Sequence, residues 1–219
     1  MRQKRWFYEL IRMILKPFVK LIFRYEVYNK NSIPKEGKYI LCSNHISIID
    51  PVLLIVTQKR RICFMAKSEL FQNKIFASIL YAMGVFPINR GKADLNSLKE
   101  AENIVNDNRV LGIFLEGTRS KTGEFLKPKP GVSAIAYNTN TPIIPVCITS
   151  KGFGRVRPFK KVIITYGEPI MPDSLEIYEG KGTEIRNASR KIMNEIKKLR
   201  EQTAGAYCVS DCMRGGNNN

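Results

Sequence analysis

Three features of this 219-residue sequence predict an α/β fold with a mostly parallel central sheet flanked by helices. Short apolar runs alternate with amphipathic segments along nearly the whole chain, as happens when helices cross over between parallel strands. Several of the runs are continuously apolar, which suits strands buried on both faces. Hydrophobic residues make up 44% and charged residues 25%, enough apolar mass for a sizeable core and too much for a disordered chain.

Residues 1–24 read MRQKRWFYELIRMILKPFVKLIFR. Phe7, Leu10, Ile11, Ile14, Phe18, Leu21 and Ile22 share one helical stripe, with Arg5, Glu9, Arg12, Lys16 and Lys20 opposite. Pro17 removes a backbone donor and is expected to kink or split this helix. No charge-free run between Arg5 and Arg24 exceeds three residues, whereas a membrane span needs ~20 mostly apolar ones. The same interruptions break the apolar region that a signal peptide needs. Two fates fit the segment: packing on the protein's own core, or lying in a membrane surface with Trp6, Phe7 and Tyr8 near the lipid head groups. Eight basic residues against two acidic ones in positions 1–30 favour the membrane, since each is worth roughly 1 kcal/mol near an anionic leaflet.

After a polar joint at 28–38, YILCS (39–43) reads as a buried strand and 51–58 as a helix. RRICFMAK holds a short strand, KIFASILYAMG a helix and VFPI a strand. The run from 75 to 89 is uncharged but too short to span a bilayer, and Gly84 and Pro87 interrupt it. ADLNSLKEAENIVNDN is an amphipathic helix with Leu95, Leu98, Ala101, Ile104 and Val105 on its apolar side. LGIFLEG is a buried strand, PGVSAIAYNTN a helix, PIIPVCIT a strand, VIITYGEPI a last strand and 183–201 a charged helix. The organisation expected is a membrane-associating segment over 1–30, a domain over 31–202 and a disordered tail over 203–219.

Function in such a fold gathers where strands hand over to loops at their carboxyl ends. SNHISIIDP (43–51) follows the strand at 39–43 and holds the single histidine, His45, with Asp50 five residues on and Asn44 and Ser47 beside it. A neutral imidazole accepts a proton near neutral pH, and a carboxylate fixes its tautomer. On a continuous helix these two side chains stand apart, so they meet only if a turn or loop connects them. Asp50 before Pro51 also reads as a helix N-cap, a role that coexists with the first. FLEGTRSKTGE (114–124) brings glycine, hydroxyl and guanidinium together at Gly117, Thr118, Arg119 and Ser120, suited to an oxyanion such as phosphate or to a plain polar turn. Lys67, Arg90, Lys92 and Arg119, each after a strand, form a positive mouth around the histidine.

The formal net charge of +17 points to a polyanionic partner: nucleic acid, an anionic membrane or a phosphorylated substrate. The stretch 127–161 carries seven basic residues and no acid, yet lacks the basic–aromatic interleaving of a single-strand binder. No helix-turn-helix or zinc finger stands out, so nucleic acid is not expected. One histidine excludes zinc sites that need two or three imidazoles, and no metal is expected. Five scattered cysteines make no disulfide framework, and Cys42 reads as a small buried hydrophobe. Phosphate-loop, dinucleotide-loop and nucleophile-elbow motifs are missing from the sequence.

Asn44-His45-x4-Asp50, then Arg90, then Glu116-Gly117-Thr118-Arg119, then the Pro145 segment resemble, in order and rough spacing, the glycerolipid acyltransferases, specifically the bacterial 1-acylglycerol-3-phosphate acyltransferases. The resemblance covers about Ile40 to Ile148. It implies transfer of a fatty acyl group from a thioester on acyl carrier protein or coenzyme A, with no other cofactor, to the hydroxyl of lysophosphatidate. It further implies His45 as general base, Asp50 as its orienting partner, and Lys67, Arg90, Glu116, Gly117, Thr118 and Arg119 on the acceptor. The place implied is the cytoplasmic face of the cell membrane, peripherally. Leu115 stands where many members have proline, and Pro87-Ile88-Asn89 is unusual ahead of the arginine. Two other readings remain: acylation of another lysolipid, such as a lyso-ornithine lipid, and a non-catalytic basic protein that binds membranes.

Overall fold

The computed structural model describes residues 5–88, 95–150, 152 and 154–215. Along the chain run α1 (Arg5–Phe23), β1 (Glu26–Tyr28), β2 (Tyr39–Ser43), α2 (Asp50–Thr57), β3 (Ile62–Lys67), α3 (Lys74–Ala82), β4 (Val85–Ile88), α4 (Leu95–Asn106), β5 (Val110–Phe114), α5 (Gly131–Thr139), β6 (Ile143–Ser150), β7 (Val162–Tyr166) and α6 (Gly182–Gly215). The seven strands form one sheet in the order β1-β7-β6-β2-β5-β3-β4. Every neighbouring pair is parallel except β6 and β7. The carboxyl ends of β2, β3 and β5 therefore lie side by side on one edge.

Side-chain alternation divides the core into two layers. Along β2, Tyr39 and Leu41 join the layer under α1 and α2, whereas Ile40 and Cys42 join the layer of α4, α5 and α6. Burial on both faces explains why β2, β6 and β7 are apolar without a polar beat. Helix α2 is itself buried from Leu53 to Thr57, because the sheet lies under it and α1 packs over it. Pro87 sits in the edge strand β4, where a missing amide breaks no interior ladder.

The N-terminal segment departs from expectation in three ways. Pro17 lies within α1 without splitting it. Pro17 and Met13, whose carbonyl loses its partner, are both exposed, so water can serve that carbonyl. The face on the core is Tyr8, Ile11, Leu15 and Val19, so Tyr8 is fully buried instead of lying at a lipid head group. Burial pushes its phenol up to about 12. Residues 26–28, at the edge of the polar joint, form β1, which pairs with β7 and builds the segment into the domain. Three residues are too few for a readable alternation.

Trp6, Leu10, Met13, Ile14, Phe18 and Leu21 remain exposed, Trp6 at 60% and Leu21 at 72%. Helix α1 thus has one apolar face on the core and a second turned outward. Among the described residues no helix is long and apolar enough to cross a membrane. At the other end, α6 continues to Gly215, so the tail expected to be disordered from Thr203 is helical over most of its length. No proline interrupts it, and extending an existing helix adds one hydrogen bond for each residue fixed.

Candidate active site

His45 follows β2, and Asp50 opens α2 five residues later, with a turn at 48–49 between them. The turn folds the carboxylate back, and Asp50 Oδ2 lies 2.8 Å from His45 Nδ1. The same oxygen accepts from the amides of Ile46 and Ser47, each at 2.7 Å. Asp50 is fully buried, with Oδ1 unpartnered among the described residues. An oxygen holding two amide donors acts as an ionised acceptor, so Nδ1 carries the ring proton toward it. Nε2 is then left as the acceptor. The N-cap of α2 is Ile49, not Asp50, and the Asp50 carboxylate satisfies the turn before the helix.

The ring is positioned from below as well. It stacks on Phe114 with centroids 4.0 Å apart and planes 16° from parallel, and Phe114 lies over Phe64 in the same manner at 5.7 Å. Register places Phe114 opposite Ser43, two residues before the histidine. Gly112 makes the stack possible, since a Cβ there would stand 2.3 Å from the Phe64 ring. These residues were not singled out in the sequence, where an aromatic in an apolar strand carries no mark of function.

The main chain of His45 is clamped by the loop after β5. Glu116 Oε1 accepts from its amide at 3.4 Å, and the Ser120 amide donates to its carbonyl at 2.8 Å. Gly117 makes the reversal between them at φ 67°. Asn44 anchors the other side, exchanging two 2.8 Å hydrogen bonds with the Ile148 backbone on β6. Ser47 is half-buried and contributes its amide to Asp50.

The predicted acceptor residues therefore divide. Gly117, Thr118 and Arg119 are exposed beside His45, whose side chain is 12% exposed. Lys67 ends β3 on the same edge and lies 3.6 Å from Glu69. Glu116 is only 1% exposed and turned inward beneath the histidine, with Oε2 unpartnered among the described residues. Arg90 and Lys92 lie outside the described residues. Cys42 is fully buried, and burial pushes its thiol up.

Burial, reinforced by the Asp50 charge, pushes the Glu116 carboxyl up to about 7 against the pull of the Leu126 and His45 amides. The native state then keeps a proton that the unfolded chain releases near 4.5. Stability from this group falls as pH rises from about 4.5 to about 7, and is level above that. Glu116→Gln lacks the titration. Its stability relative to the parent should rise by roughly 2–3 kcal/mol between about pH 5 and about pH 8, measured by chemical denaturation. A pH-independent difference would contradict the buried, protonated carboxyl.

The model of the Acyltransferase family matches residues 24–149, a span that takes in His45, Asp50 and the loop 116–120. The 1-acyl-sn-glycerol-3-phosphate acyltransferase of Bacillus subtilis is 31% identical over 166 residues, covering 74% of this chain and 82% of that protein. The beta enzyme of the same name from Homo sapiens is 32% identical over 147 residues, covering 66% of this chain and 52% of that one. The crystal structure of the 1-acyl-sn-glycerophosphate (LPA) acyltransferase PlsC from Thermotoga maritima superposes with a TM-score of 0.71. That match covers 93% of this chain and 84% of the other at 24% identity, a likeness of fold.

Proposed function

This chain belongs to the acyltransferase family, and we propose that it transfers an acyl group from a thioester to the free hydroxyl of 1-acylglycerol-3-phosphate, making phosphatidic acid. The observation that carries the reading is the 2.8 Å contact of His45 Nδ1 with an Asp50 oxygen already held by two amides. It leaves Nε2 free to take the acceptor's hydroxyl proton as the alkoxide oxygen bonds to the thioester carbonyl carbon. The tetrahedral oxyanion then collapses, the C–S bond breaks, and the imidazolium returns its proton to the departing thiolate. A thiolate leaves readily, so no enzyme nucleophile is needed. Asp50 stays ionised throughout and stabilises the transient imidazolium.

Thr118 and Arg119 stand exposed on the loop whose Ser120 amide holds the His45 carbonyl. A phosphate bound there is kept at a fixed distance from the base, which lines up the hydroxyl. The acyl donor is acyl carrier protein or coenzyme A. Because the acceptor is a bilayer lipid, the outward apolar face of α1, flanked by Lys16 and Lys20, lies on an anionic membrane surface at its cytoplasmic side.

The test is purified protein with a labelled long-chain acyl thioester and a panel of lysolipids. Transfer to lysophosphatidate is expected to exceed transfer to phosphate-free acceptors. Arg119→Ala should raise KM for lysophosphatidate roughly tenfold or more, in keeping with loss of a charge-assisted contact. Equal loss on a phosphate-free acceptor would contradict the clamp, and preference for a lyso-ornithine lipid would contradict the acceptor.

A further inference from the structure

We propose that the membrane face extends beyond α1 at both ends, with α3 at one end and the turn at Phe159 at the other. The inference rests on the reading of α1 as a membrane-surface helix and adds two contact elements to it. Helix α3 joins β3 to β4 and buries only Ala77 and, in part, Leu80 and Ala82. Ile75, Phe76 and Ile79 face solvent, Ile75 at 77%. Such a run belongs in a core, yet Ile75 is mostly uncovered and Phe76 and Ile79 each keep more than two fifths of their surface exposed. It is also continuous with α1: Phe7 shares with Ile75 and Ile79 an open groove of about 500 Å³, edged by Lys74. No acid lies on α3.

The second element stands at the far end of α1. The Phe159 amide donates to the Ile22 carbonyl at 2.6 Å, fixing the loop after β6 to the end of the helix. Phe159 itself is 66% exposed at φ 61°, a left-handed conformation that costs a bulky residue free energy. Holding an aromatic ring out in water at the expense of backbone strain is explained when the ring has an apolar phase to enter. Arg155, Arg157 and Lys160 flank it along the chain, all exposed, so the loop that carries the ring is positively charged. An aromatic among cations on a chain of net charge +17 suits an anionic bilayer better than a second copy of the same cationic surface.

The experiment measures partition of the full chain onto mixed phosphatidylglycerol–phosphatidylcholine vesicles, alongside acyl transfer to a detergent-dispersed acceptor. Combined Ile75→Ser, Phe76→Ser and Ile79→Ser substitutions, and Phe159→Ser separately, should each weaken partition roughly tenfold, as loss of buried apolar area requires. Detergent-dispersed transfer should stay within about twofold, since none of these residues touches the site. Should the combined variant unfold, Ile79→Trp serves instead and is expected to tighten partition. Unchanged partition in both serine variants overturns the proposal. So does loss of self-association, read by sedimentation, with vesicle binding intact. If wild-type protein binds vesicles as expected but transfers no acyl group in detergent, the enzymatic reading fails and the docking surface stands.

Discussion

His45→Ala is expected to lower kcat for acyl transfer by about 10³-fold while leaving partition onto anionic vesicles unchanged. The size follows from the chemistry. A lipid alcohol is a poor nucleophile until its proton has somewhere to go, and among the described residues His45 is the neutral base at this edge. Its ring is held by Asp50 on one side and Phe114 on another, so no neighbouring group can swing into its place. The side chain is mostly buried but stands at the end of β2, outside the principal helix-to-sheet packing, so the fold should survive its removal with a loss of about 1 kcal/mol. Vesicle binding is proposed for α1 and its neighbours, which His45 does not join. Persistence of wild-type turnover in the variant would remove the histidine from the mechanism.

Asp50→Asn tests a different part of the same device. Two amides point at Asp50 Oδ2, so the asparagine oxygen is forced into that place and its NH₂ group into the buried position of Oδ1. The His45 ring thus keeps its Nδ1 proton bonded to oxygen, and what disappears is the negative charge. A charge about 4 Å from the forming imidazolium is worth roughly 4 kcal/mol at an effective dielectric near 20, so kcat should fall about 10²- to 10³-fold with KM little altered. Stability should drop by about 1–3 kcal/mol, because two new donors are buried without acceptors. A rise in KM with kcat unchanged would place Asp50 in substrate binding instead.

How much of this was legible depended on how local each interaction is. His45 and Asp50 lie within five residues of each other, and their partnership needed only a turn between them. The loop at 116–120 was legible as a cluster of the right chemistry. Which side of the turn each residue takes was not, and Glu116 proved to face inward, under the His45 amide. The Gly112–Phe64–Phe114 stack depends on register between β2, β5 and β3, which no local pattern encodes. In α1 the apolar arc is wider than one packing face requires. Burial of Tyr8, Ile11, Leu15 and Val19 was decided by where α2 lies, so the core reading holds on that face, and the outward apolar face is the one on which the proposed membrane contact rests.

The chain has a single histidine, so one ¹⁵N imidazole spectrum reports on it without ambiguity. With the ring neutral, the proton is predicted on Nδ1, bonded to Asp50, and Nε2 should show the shift of a bare, proton-accepting nitrogen. A proton found on Nε2, with Nδ1 bare, would contradict the assignment of His45 as the base.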